Sequence, residues 1–415
     1  TTGGQNVAVG FQALTDNTTA SNNTAVGHSA LLENTTGTFN VAVGSLAGDA
    51  NTTGNYNTAL GYNSFGINTT GSNNVAIGAL ALDSNTTASD NVAVGVNALG
   101  VNTEGNLNVS IGGQSLSSNT VGDRSVAVGY GTLNVQNPAS DTDMYNTAVG
   151  YTAGLSVTTG VRNTLIGGLA GDTLNTASNN VAVGMLALTS DTKGAHSVAI
   201  GTGALSAQNF TSATDTYNTA VGDSAGGAVT TGIKNTLVGG LAGDGLTTGN
   251  NNTAMGYLSL SASTTASENS AFGAGSLNST TTGTANVAVG QNAAVSNTTG
   301  SNNTAIGQDS LFANTTGVNL AALGGNALAA NTTGNSSVAI GYLALDANTT
   351  ASNNIAIGQH AVGTNTTGAS NVGIGHEALY LNTTASNNTA VGFQSLRTNT
   401  TGVDNVSVGS QALDA

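Results

Sequence analysis

A short hydrophobic motif closed by glycine recurs along the whole chain, as in "SNNTAVGHSALLENTTG" at residues 21–37. The closing glycines, from Gly10 to Gly409, mark 24 turns, and 21 of the 23 intervals between them are 17 residues long. The other two intervals, which end at Gly150 and Gly222, are 21 residues long. Self-similarity at a short fixed period is typical of repeat architectures in which each unit forms one structural element.

Within each turn, the order of large and small apolar residues predicts a strand. The residue before the closing glycine is large and apolar in all 24 turns, the residue two places earlier is mostly β-branched, and Ala lies between them in 19 turns. This alternation has the period of a β-strand. The glycine and the following Asn-Thr-Thr-Gly/Ala segment are typical of tight turns. Each unit is therefore predicted to be a strand, a turn, a short extended Ala-Leu segment and a second turn.

A unit of this size cannot bury its own apolar face, so it must stack on its neighbours. The sequence predicts an all-β fold, a parallel β-solenoid of about 24 turns, in one repeat domain over residues 1–415. Four-residue insertions fall in the units at 130–150 and 202–222. Asn follows the closing glycine by seven residues in 14 turns. Stacked asparagines are expected to form a hydrogen-bonded ladder.

The side-chain columns predict an inside and an outside. We expect the large apolar column to form the core, which includes Val9, Val26, Val43, Ile77, Val94, Val289 and Ile306. Because successive strand side chains point to opposite faces, the Ala column is expected to lie outside as a flat apolar stripe, which is typical of an interface. The predicted chain–chain interface includes Ala8, Ala25, Ala42, Ala59, Ala76, Ala93, Ala288 and Ala305.

Composition narrows the possible partners. The chain has 20 acidic and 5 basic residues and a net charge of −15, which disfavours nucleic acid and anionic membranes as partners. It has no Cys, so it forms no disulfide or thiolate metal site. No apolar run approaches the 18 or so residues of a membrane span, so direct membrane insertion is not expected. The chain starts in phase with the repeat and without Met, which suggests an excerpt of a longer protein.

The strand motifs "HSVAIG" (196–201), "SSVAIG" (336–341) and "RSVAVG" (124–129) resemble the head repeats of the YadA-like trimeric autotransporter adhesins. The longer form "NTAVGxxALxxNTTGSNN" is similar to repeats in phage tail-fibre-like proteins. The resemblance implies a left-handed parallel β-roll, three chains packed as a homotrimeric rod, and an extracellular position on a cell or virion surface. The 415 residues show no heptad stalk, anchor barrel or chaperone domain, and we expect such flanking domains to lie elsewhere.

Candidate chemistry is sparse. The four histidines occupy different columns and are interpreted as isolated surface residues: His28, His196, His360 and His376. Asp141, Asp143 and Asp215 lie in the insertions, where a calcium role is conceivable but a solvated acidic loop is favoured. We predict no catalytic residues, cofactor or metal, because nucleophile-elbow, phosphate-loop and dinucleotide motifs are lacking and carboxylates are unpaired.

Two surface features leave alternatives open. Aromatic residues follow the closing glycine in seven turns: Phe11, Tyr62, Tyr130, Tyr151, Tyr257, Tyr342 and Phe393. These rings could stack on a sugar, but the favoured interpretation is that they cover the turn. The recurring Asn-Thr-Thr is also an acceptor sequence for N-linked glycans.

The predicted function is a structural fibre or adhesin segment, a rigid trimeric rod without catalysis that displays a multivalent surface to a host or surface receptor, which could be a glycan. The alternative is an ice-binding solenoid, which the low charge and the Thr-rich columns favour. In that alternative, adjacent threonines such as Thr35 and Thr36 would have to form one flat array, although neighbours in a strand point to opposite faces.

Overall fold

The computed structural model describes residues 2–414, and within that range it contains strands and turns and no helix. The residues fall into two compact units, of which the first ends at Thr216 and the second begins at Tyr217. Each unit contains twelve turns of a parallel solenoid, and each turn has one three-residue strand. The predicted number of turns and their spacing are therefore confirmed.

The first unit has sixteen strands, twelve of which are the repeated strands of the solenoid. They are β1 (Val7–Val9), β2 (Thr24–Val26), β3 (Val41–Val43), β4 (Thr58–Leu60), β5 (Val75–Ile77), β6 (Val92–Val94), β7 (Val109–Ile111), β8 (Gly122–Asp123), β9 (Val126–Val128), β10 (Thr142–Asp143), β11 (Thr147–Val149), β12 (Thr164–Ile166), β13 (Val181–Val183), β14 (Gly194–Ala195), β15 (Val198–Ile200) and β16 (Thr214–Asp215).

The second unit has twelve strands, one for each turn. They are β17 (Thr219–Val221), β18 (Thr236–Val238), β19 (Thr253–Met255), β20 (Ser270–Phe272), β21 (Val287–Val289), β22 (Thr304–Ile306), β23 (Ala321–Leu323), β24 (Val338–Ile340), β25 (Ile355–Ile357), β26 (Val372–Ile374), β27 (Thr389–Val391) and β28 (Val406–Val408).

The repeated strands pair in parallel and in register with the equivalent strand of the next turn. In β5 and β6, for example, Val75 lies beside Val92, Ala76 beside Ala93 and Ile77 beside Val94. Backbone hydrogen bonds also join the turns outside the strands, as from Leu31 N to Ala47 O at 3.1 Å and from Thr35 N to Thr52 O at 3.0 Å. The two insertions add short parallel pairs of their own, β8 with β10 and β14 with β16.

The predicted inside and outside of the strand are reversed. The Ala at the strand centre points into the turn and is at most 2% exposed in the residues proposed above as the interface: Ala25, Ala42, Ala59, Ala76, Ala93, Ala288 and Ala305. Ala8 is exposed in the first turn but pairs with Ala25 in the same column. These alanines line the interior of the turn, so their assignment to a chain–chain interface is wrong.

The residues predicted as core lie on the opposite face of the strand. Val9, Val289 and Ile306 are exposed by 58%, 39% and 39%, respectively. Val26, Val43, Ile77 and Val94 are half-buried. The core assignment is therefore wrong within one chain, because the central residue of the strand, and not the residues on either side of it, faces the interior of the turn.

The interior is filled mainly from the segment opposite the strand. The Leu four residues after the closing glycine is buried, as in Leu82 and Leu99, both 0% exposed. These leucines have a left-handed backbone, with φ of 49° at both positions. Such a conformation is uncommon for a non-glycine residue, and a cost of about 1–2 kcal/mol is offset by the roughly 1.5–3 kcal/mol gained when a Leu side chain is buried.

Size compensation shows that the strand centre and the leucine column share one space. Where Leu replaces Ala at the strand centre, at Leu165 and Leu237, Gly replaces Leu in the same turn, at Gly171 and Gly243. A β-carbon on Gly171 would lie 2.8 Å from Leu165 Cδ2, and one on Gly243 would lie 2.7 Å from Leu237 Cδ2. In these two turns a larger residue at the strand centre therefore accompanies a smaller one in the leucine column, whereas Gly48, Gly154 and Gly226 accompany Ala at the strand centre.

Two columns of buried asparagines complete the interior. Asn51 Nδ2 donates to Asn34 Oδ1 of the preceding turn at 2.9 Å and to Gly54 O of its own turn at 3.1 Å. In the second column, which immediately precedes the strand, Asn57 N donates to Asn40 Oδ1 at 2.8 Å. The predicted ladder is confirmed, and it satisfies polar groups that would otherwise be buried without partners.

Candidate interaction surfaces

The outward side chains of the repeated strands form a flat surface on each unit, which we call the strand face. It consists of the first and third residues of every repeated strand, such as Val75 and Ile77 in β5. Side chains at the third position are apolar in all 24 turns, and no charged residue occupies either position in any turn. Large exposed apolar patches on soluble proteins mark interaction surfaces, so the strand face is the first candidate interaction surface.

The threonine-rich turn does not form a second flat surface. The first Thr of Asn-Thr-Thr is half-buried except at Thr18 and Thr400, and its hydroxyl donates to the next turn, as from Thr35 Oγ1 to Thr52 O at 3.0 Å. The second Thr, such as Thr36, is exposed. Only one rank of threonine side chains therefore faces solvent on this side.

The aromatic residues that follow the closing glycine are exposed by 47–68%. Several rings lie against a glycine at the same position of the preceding turn: a β-carbon on Gly113 would lie 3.4 Å from the Tyr130 ring, and one on Gly325 would lie 3.5 Å from Tyr342. Tyr130 also stacks on Tyr151 with 6.1 Å between ring centroids. These contacts support the interpretation that the rings cover the turns.

The first insertion builds a charged cleft of about 650 Å³ that sequence analysis did not predict. It is lined by Asp123, Arg124, Asp141, Thr142, Asp143 and Arg162. Arg124, two residues before β9, forms an ion pair with Asp143 of β10. Tyr145 donates from its hydroxyl to Asp143 Oδ2 at 3.2 Å, and its ring lies 5.9 Å from the Arg124 guanidinium carbon.

The burial of Asp123 distinguishes it from the other carboxylates of this cleft. Its side chain is 8% exposed, and Asn106 N donates to its Oδ1 at 2.6 Å. Desolvation raises the pKa of Asp123, and the nearby Asp141 adds to the rise, while the hydrogen bond from Asn106 and the charge of Arg124 oppose it. The only signal in the sequence was the position of Arg124 shortly before the insertion and of Asp143 within it.

The second insertion repeats the arrangement with different residues. His196, two residues before β15, pairs with Asp215 of β16, with 3.0 Å between Nδ1 and Oδ1. This cleft has a volume of about 360 Å³ and is also lined by Lys193 and Thr214. In both insertions, a basic side chain that precedes a repeated strand holds an Asp of the short added strand.

The histidines are not brought together. His28 stacks on Phe11 at 5.5 Å and His376 on Phe393 at 5.4 Å between ring centroids. His360 packs edge-on between two tyrosine rings, and His196 belongs to the second cleft. Within residues 2–414, no group of three or more His, Cys, Asp or Glu side chains is placed to hold a metal ion.

The architecture places the chain in the class of β-solenoid repeat proteins. No known family model matches it, and no curated protein is significantly similar to it. In the described part of the chain, no helix has the length and hydrophobicity to cross a bilayer.

Proposed function

We propose that the chain is a structural segment of a surface fibre, in which three copies pack through their strand faces and display the remaining faces to a receptor. The observation that carries the proposal is the strand face itself, which has an apolar side chain at its third position and no charged residue in every turn. Depletion of charged residues and enrichment of apolar ones are typical of the buried centre of an interface. The flat and regular face suits close packing against a second copy.

The rest of the assembly follows from the resemblance of the strand motifs to adhesin head repeats. We propose a left-handed winding of each chain, an extracellular position on a cell or virion, and no catalytic role. Repetition of the turns would place weak receptor contacts at regular intervals, so that affinity arises from simultaneous engagement.

The test is the molar mass in solution, measured by light scattering after size-exclusion chromatography. The expected mass is three times the 40.2 kDa of the chain. Ile77→Arg, on the strand face, is expected to yield monomers, whereas Thr36→Arg, in an exposed turn, should leave the trimer intact. A monomeric parent chain would refute the proposal.

One observation favours ice binding as a second candidate. The strand face presents two ranks of side chains at regular spacing, about 4.8 Å along the stack and about 6.6 Å across the strand, with Thr at the first position in nine turns. A regular flat array of Thr and Val side chains can order water over its surface. A monomer that lowers the freezing point of water in a thermal-hysteresis assay would favour this function over the fibre.

A further inference from the structure

We propose that the cleft of the first insertion binds a neutral, polyhydroxylated glycan, with Arg162, Asp141 and Tyr145 as its recognition residues. This inference rests on the proposed fibre function, for which it names a receptor class and a contact site. We refer to this cleft as the insertion cleft; it is lined by the six residues from Asp123 to Arg162 given above.

The position of the insertion cleft suits a binding site. Insertions in repeat proteins map to loops on one face, which is often the binding face. Only two of the 23 intervals carry an insertion. The lining residues lie on the insertion and on the positions that precede the repeated strands, so none belongs to the strand face.

The distribution of basic residues gives a second reason. The chain has five basic residues, and two of them, Arg124 and Arg162, line this one cleft. Arg124 is engaged by Asp143, whereas within residues 2–414 no carboxylate lies within ion-pair distance of the Arg162 guanidinium. Arg162 is therefore available to donate several hydrogen bonds in a fixed planar geometry.

The chemistry of the lining selects a neutral polyol over an ion. A cation is disfavoured because Arg124 already holds Asp143 and no metal-ligand group is present in the described chain. An anion is disfavoured by three carboxylates in the same cleft and by the net charge of −15. Sugar hydroxyls both donate and accept, so they match the exposed Asp141 carboxylate and the Arg162 guanidinium at once.

Tyr145 supplies the apolar part of such a site. Its side chain is 50% exposed and contacts two lining residues, Arg124 and Asp143. Aromatic rings with one polar end are suited to surfaces that are partly apolar and partly wet. The C–H face of a pyranose ring can lie on this tyrosine while its hydroxyls reach the carboxylate and the guanidinium. The cleft volume of about 650 Å³ lies within the range of ligand sites, about 300–1,000 Å³.

The experiment uses the full chain on an array of immobilised oligosaccharides, with neutral hexose and N-acetylhexosamine chains beside sialylated and uronate-containing ones. We expect binding to one or more neutral oligosaccharides, and at least a tenfold loss for both Arg162→Ala and Asp141→Asn. Lys234→Ala is the matched control, since Lys234 occupies the position equivalent to Arg162 in the duplicated segment 217–244. It should change binding less than twofold, as should Asp90→Asn on the exposed surface.

Three outcomes would overturn the inference: no neutral oligosaccharide is bound, only acidic ones are bound, or the cleft variants bind as well as the controls. The molar mass of the same samples separates this result from the fibre proposal. A trimer without glycan binding would refute the glycan-binding proposal and leave the fibre proposal standing. A monomer whose glycan binding depends on Arg162 would refute the fibre proposal and leave the glycan-binding proposal standing. Circular dichroism of each variant tests whether a loss of binding reflects a loss of fold.

Discussion

Two neighbouring substitutions in strand β21, Ala288→Asp and Val289→Asp, are expected to have opposite consequences. Ala288 is 0% exposed and lies between Ala271 and Ala305 of the adjacent turns, which offer no side-chain donor. An uncompensated buried charge costs about 3–5 kcal/mol, and overpacking adds about 1–3 kcal/mol. Val289 is 39% exposed, so an Asp there remains hydrated and loses only about 1 kcal/mol of apolar burial.

Hydrogen exchange of backbone amides, read peptide by peptide over residues 270–323, is the appropriate assay. The stability of a repeat protein is approximately a sum of local terms, so the defect should be confined to the altered turn and its neighbours. Ala288→Asp should accelerate exchange there by about a thousandfold or more, since each 1.4 kcal/mol corresponds to about a factor of ten. Val289→Asp should stay within about tenfold of the parent in the isolated chain.

The control is Thr299→Asp, which replaces an exposed residue of the Asn-Thr-Thr turn and should change the free energy of unfolding by no more than about 0.5 kcal/mol. Light scattering on the same samples adds the second readout, because Val289→Asp places a charge on the strand face and should dissociate the proposed trimer. Equal protection of Ala288→Asp and the parent, or local unfolding in Val289→Asp alone, would refute the assignment of inside and outside.

Three further predictions concern the interior and its charges. Leu237→Ala should destabilise its turn by about 2–5 kcal/mol, and adding Gly243→Leu should recover most of that loss in a denaturant titration, whereas Gly243→Leu alone should overpack the turn. Asn331→Asp removes the donors to Asn314 Oδ1 and Gly334 O and should cost about 2–4 kcal/mol, with Thr333→Ala in the exposed turn as a neutral control. Burial raises the pKa of Asp83 above 3.8, so the folded chain binds this proton more tightly than the unfolded chain, and stability should increase as the pH falls from neutral toward about 4. Burial raises the pKa of Asp49 and Asp346 as well, so both act in the same direction. A melting temperature that falls between neutral pH and about 4, or that rises as much in Asp83→Asn as in the parent chain, would contradict the raised pKa of Asp83.

The period, the number of turns and the strand positions could all be predicted from the sequence, because a glycine with φ of about 130–140° must end each strand and asparagines recur at one spacing. The inside and outside could not be predicted by placing large apolar residues in the core. That rule assumes an interior wide enough for them, and this interior takes Ala from the strand and Leu or Asn from the opposite side. The paired changes at Leu165 and Gly171 were the sequence signal that would have corrected the assignment.

The candidate site was less visible in the sequence. Asp141 and Asp143 stood out as acidic residues of an insertion, but their relation to Arg124 and Arg162 depends on how three successive turns stack. The stacking brings together residues that are nearly 40 positions apart along the chain, from Asp123 to Arg162. The extra residues between 129 and 150 set the local path of the backbone, and no periodic pattern encodes that path.

The buried asparagine ladder also has a consequence for glycosylation. Both hydrogens of Asn51 Nδ2 are used, one by Asn34 Oδ1 and one by Gly54 O, and the residue is 1% exposed. Attachment of a sugar to that nitrogen would remove one donor and would require space that the stacked turns do not have. Because Asn-Thr-Thr is an acceptor sequence, translocation through a eukaryotic secretory pathway would mark these asparagines before the turns close. Glycosylation of these asparagines is therefore incompatible with the stacked turns, and production hosts without asparagine-linked glycosylation are preferred.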